Sequence, residues 1–73
     1  MAKVTYQQAF ELMPPFLKDR VGIEDQTVWD LVCVADEELC RYRSGQKNVI
    51  QTKENAVAVY RFIRRFPPDI YSD

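Results

Sequence analysis

Hydrophobic positions recur along this chain at helical rather than strand spacing. In the longest stretch free of Gly and Pro, Val28, Leu31, Val32, Ala35, Leu39 and Tyr42 fall on one face at about 100° per residue, which predicts a buried amphipathic helix over residues 26–43. A second, narrower stripe runs beside it. Trp29, Cys33 and Cys40 project on that flank with Asp36 between them, while Asp30, Glu37 and Arg41 mark the solvent side. A helix that is apolar on two adjacent stripes touches two neighbours, so this is the predicted central element. Asp25 is its expected N-cap, and Ser44 with Gly45 its end.

Upstream, Thr5 followed by Gln8 fits a capping box, with Val4 and Ala9 at the staple positions. A helix is predicted over 6–13, with Ala9, Phe10 and Met13 inward. Pro14 biases Met13 away from helical geometry and ends it. Pro15 suits a first turn, so a short helix through Phe16, Leu17 and Arg20 should follow, closed by Gly22 in the left-handed region. Downstream, a helix is predicted over 49–66, starting at Asn48, which with Gln51 resembles a capping box, or at Thr52. Its expected inward face is Ala56, Val59, Tyr60, Ile63 and Phe66, joined by Val49 if the helix starts at Asn48. Pro67 and Pro68 terminate it, leaving an extended tail over 67–73 that packs through Ile70 and Tyr71. The β-branched or alternating runs of a strand are absent. The expected architecture is all-α: one small domain over residues 1–73, a bundle of three main helices with a short one after Pro15.

Length adds a constraint. A chain of 73 residues buries only about 60% of its unfolded surface on folding, so a single core is marginal. No disulfide framework or metal site is legible to help, whereas 47% hydrophobic residues and nine aromatics are generous. Self-association is the expected source of additional stability, and a homo-oligomer the expected state.

Charge changes the picture more than its total of −1 suggests. Residues 1–40 carry three Lys or Arg against eight Asp or Glu, a net of −5; residues 41–73 carry seven against three, a net of +4. Such a dipolar chain can steer a charged partner or align subunits head to tail. Solvated helix faces whose signs happen to cluster produce the same pattern.

The search for chemistry returns mainly exclusions. The chain has no histidine, which removes Ser-His and Cys-His dyads and histidine metal ligands. Gly22 and Gly45 are isolated, so no phosphate-cradling glycine loop exists. Cys33 and Cys40 lie on one helix face about 10 Å apart along the axis, too far to bridge each other, and lack the further ligands of a zinc site. Buried reduced thiols are the expectation for them, and these imply a reducing compartment. With no apolar run near the roughly 20 residues of a membrane span and no signal-peptide core, a cytoplasmic location is expected. The run Asp36, Glu37, Glu38 spreads around its helix at about 100° per residue and does not converge on a cation, so it reads as a solvated face. No cofactor, metal or catalytic residue is assigned, and a non-enzymatic protein is expected.

Surfaces remain. Trp29, Cys33, Asp36 and Cys40 form a stripe of the kind that aromatic anchors use at protein interfaces; if covered by Phe10, Phe16 and Leu17 the same residues would be core. Arg61, Arg64 and Arg65, with Lys53 nearby, could contact phosphates, or complement a helix dipole and pair with the acidic central helix. The connection Ser44–Asn48 approaches the length of a helix-turn-helix turn, but the helix after it is apolar where a recognition helix is polar. The reading is therefore a small regulatory or inhibitory protein that acts by protein–protein binding, of the class found among accessory proteins of phages and mobile elements. The alternative is a nucleic-acid-binding regulator that uses the basic last helix. A third reading is a binder of an anionic small molecule at a subunit junction.

Overall fold

A computed structural model describes residues 4–22 and 27–66. It is all-α, with α1 at Tyr6–Leu12, α2 at Pro15–Lys18, α3 at Val28–Arg43 and α4 at Lys53–Arg65. The expected tail 67–73, and Asp25 as a cap, lie outside the described residues.

The helix starts follow from their caps. Thr5 accepts a hydrogen bond from the Gln8 N–H at 3.2 Å while the Gln8 side chain accepts from the Thr5 N–H at 3.1 Å, a complete capping box. Met13 then turns extended, at φ −68° and ψ 140°, and Pro15 opens α2 at its first position. That short helix stops at Lys18 with Asp19 as its cap, well before Gly22. For α3 the cap is Thr27: its hydroxyl accepts from the Asp30 N–H at 3.1 Å and donates to the Asp30 carboxylate at 2.7 Å. This makes the observed start two residues later than the predicted one at Gln26. At the other end, Gly45 at φ 76° and the bonds Gln46 N–H to Arg41 O and Gly45 N–H to Tyr42 O build a Schellman motif.

Of the two predicted starts for α4 the later is observed, with Thr52 accepting from the Asn55 N–H at 3.1 Å. Asn48 does not cap because its side chain is engaged elsewhere: it donates to the Glu38 carbonyl and accepts from the Ile50 N–H. Gln51 sits at φ 61°, and the Thr52 N–H reaches the Ile50 carbonyl at 2.6 Å. The connection thus closes with a tight, positive-φ γ-turn, a strained form.

The core is Ala9 and Met13 of α1, Leu17 of α2, Val28, Leu31, Val32, Ala35 and Leu39 of α3, Ile50 of the connection, and Val59, Phe62 and Phe66 around α4. The face predicted for α3 is the buried one from Val28 to Leu39, while Tyr42, also expected inward, is half-buried at its edge. On α4 the face is rotated: Phe62 is buried and Tyr60 is exposed, because Phe62 packs tilted against Phe66 with ring centroids 5.0 Å apart while the Tyr60 hydroxyl and ring serve Arg64 at the surface. Central α3 packs most extensively on α4 and next on α1.

Candidate functional site

The acidic run on α3 separates into two kinds of residue. Asp36 and Glu37 are exposed, but Glu38 is 1% exposed and is the only buried charged residue among those described. The expectation of a solvated face for all three is corrected at Glu38. Its carboxylate accepts from Arg20 at 3.5 Å, from Arg41 at 3.4 Å and from the Val49 N–H at 3.4 Å, while its carbonyl takes the Asn48 amide. Two guanidiniums, both still in contact with water, and one backbone N–H therefore compensate one buried charge. Satisfied in this way, Glu38 is a structural tie between the α2 end, α3 and the connection.

A flank of α3 beside its core face is exposed. Trp29, Cys33, Asp36 and Cys40 stand at i, i+4, i+7 and i+11, and all four are exposed, Trp29 by 47%. Neither cysteine is in a disulfide, and the expectation of buried thiols is corrected. Ala9, Met13 and Leu17 of the α1–α2 arm join the buried cluster with Leu31, Ala35 and Leu39 of α3, to which the stripe residues do not belong.

The basic residues of α4 divide between two surfaces. Lys53 lines a groove of about 330 Å³ between α3 and α4, with Arg43, Tyr42 and Tyr60. Arg64 lies over the Tyr60 ring at 5.7 Å from its centroid. Arg61 and Arg65 line a separate cleft of about 670 Å³ between α4 and the α1–α2 corner. There they are joined by Lys18, which the sequence reading did not single out, and by Leu12, Phe16 and Glu11. Leu12 is 51% exposed, and Lys18 is held over the Phe10 ring at 5.0 Å from its centroid. Lys18 comes from α2 and the arginines from α4, and no local sequence pattern joins residues that far apart. Among the described residues, Lys18, Lys53, Arg61, Arg64 and Arg65 form no ion pair, although pairing with the acidic helix of the same chain was one expectation.

Among the described residues no group of Cys, Asp and Glu side chains is arranged to hold a metal ion, and no helix is long and apolar enough to cross a membrane. The arrangement offers an aromatic and acidic helix face, and a cationic cleft with an apolar lining. Comparison with protein-family models, with known proteins and with solved structures finds no match to this chain.

Proposed function

We propose that this chain is a small non-enzymatic regulatory or inhibitory protein that acts by protein–protein binding through the outer stripe of α3. The observation that carries the reading is the exposure of Trp29 on a helix whose adjacent face already closes the core. Burying an indole removes about 150–250 Å² from water, and central aromatic anchors dominate the energetics of interfaces. Cys33 and Cys40 extend the stripe with small, weakly polar surface, and Asp36 gives it a sign.

The test uses the tagged full chain expressed in its own host, with Trp29→Ala and the double variant Arg61→Ala with Arg65→Ala as baits. A partner protein other than a copy of the chain itself, retained by the native chain and by the arginine variant, should be lost with Trp29→Ala, whose circular dichroism stays helical. Alkylation of Cys33 and Cys40, the only cysteines in the chain, should slow in the purified complex. Capture unaffected by Trp29→Ala, or loss of helix in that variant, sinks the proposal.

A second reading has its own support. Lys53, Arg61, Arg64 and Arg65 are exposed and without ion pairs among the described residues, as phosphate-contacting side chains would be. A nucleic-acid binder would lose affinity steeply with salt and lose it outright with Arg61→Ala and Arg65→Ala. No binding of duplex or single-stranded DNA or RNA at low salt eliminates that reading.

A further inference from the structure

We infer that the cleft between α4 and the α1–α2 corner receives the outer stripe of α3 from a second copy of this chain. The inference rests on reading that stripe as a protein-binding surface, and it supplies the partner. Lys18, Arg61 and Arg65 border the cleft against one carboxylate, Glu11, and none of the three cations is in an ion pair with a described residue. Between them lies apolar surface still in water: Leu12, half exposed, the exposed Pro15 and the half-buried Phe16. The complement of such a cleft is an aromatic or aliphatic body flanked by carboxylates.

The α3 stripe has that composition. Trp29 is its apolar body, and the exposed carboxylate of Asp36 follows two helical turns on, while neighbouring Glu37 is held by Arg41 at 3.6 Å. None of the stripe residues lines the cleft, so one protomer can offer both surfaces at once. A phosphodiester backbone would neutralise the cations, but it would leave Leu12 and Phe16 in water. Like-to-like contacts fit less well: two cationic clefts repel, and two stripes meeting would leave Lys18, Arg61 and Arg65 without a counter-charge. The pairing is therefore stripe to cleft, a heterologous contact in which each copy gives one surface and takes the other. One indole and a few charge pairs fall well short of the roughly 1,600 Å² of a standard interface, so the association is weak, reversible and sensitive to salt.

The experiment is sedimentation of the full chain across micromolar to millimolar concentration, at low and high salt, with Trp29 emission read alongside. Mass should rise with concentration at low salt, with a blue shift in emission, and fall toward the monomer at high salt. Two variants separate the surfaces: Trp29→Ala with Asp36→Lys removes the stripe, and Arg61→Glu with Arg65→Glu reverses the cleft. Each alone should weaken association at least about tenfold, while circular dichroism stays helical; Leu12→Ser is a second cleft variant that carries no charge change. Mixed in equal amounts, the two double variants should form a heterodimer and nothing larger, because one intact stripe then meets one intact cleft. A chain that is monomeric at every concentration at low salt overturns the inference. So does association that survives the cleft reversal, or a mixture that stays monomeric. A monomeric chain whose thiols are protected by some other protein overturns self-docking alone and leaves the protein-binding reading intact.

Discussion

Arg20 and Arg41 at Glu38, and Arg61 and Arg65 at the cleft beside α1 and α2, put the same side chain to different uses. The first pair closes on Glu38, a carboxylate removed from water, and ties three segments together. The second pair stands beside an apolar cleft without an acidic partner among the described residues. A charge contributes to folding when its counter-ion is buried and has no water to fall back on; otherwise it is available for something outside the chain.

The largest expected effect would break the first half of that contrast. Arg20→Ala combined with Arg41→Ala leaves Glu38 buried with only the Val49 N–H, and should destabilise by about 3 kcal/mol. That figure is the low end for a stranded buried charge, since Arg20 and Arg41 are 44% and 39% exposed and water can partly replace them. Denaturant unfolding monitored by circular dichroism measures it. Next, Asn48→Ala removes an amide that bonds both the Glu38 carbonyl and the Ile50 N–H, and should cost about 2 kcal/mol. Thr52→Ala should cost about 1 kcal/mol as the loss of a true N-cap; a cost at Thr52 well above that at Asn48 would contradict the roles given to them. The smallest effect sharpens the other half: Arg61→Ala with Arg65→Ala should change stability by no more than about 0.5 kcal/mol. A larger loss would mean that those arginines are structural too.

What was legible in the sequence was local. The Thr5 and Gln8 box, the Pro15 start, the Gly45 stop and the inner face of α3 from Val28 to Leu39 follow from neighbours within one or two turns, and they stand as read. Where the reading failed, the deciding partner was distant or the local signals competed. Glu38 looks solvated until Arg20, eighteen residues earlier, is brought to it. Asn48 resembles a cap until its amide is seen on Glu38. On α4 the period fits Tyr60 or Phe62 equally, because apolar residues occur on both sides of Val59, and only packing against Phe66 settles it. Thr27 was overlooked because Glu24 and Asp25 are the louder signals before α3. The stripe residues were correctly placed on one flank, but the cleft was not legible, since Lys18 reaches it from another helix.

The Glu38 tie also bears on how quickly the chain assembles. Its partners lie three, ten, eleven and eighteen residues away along the backbone, so each contact closes a short loop. Loop-closure entropy grows only logarithmically with length, and chains dominated by near contacts fold fast. Arg41, Asn48 and Val49 therefore reach Glu38 over loops of eleven residues or fewer, and can hold the connection in register against α3 without waiting for Arg20.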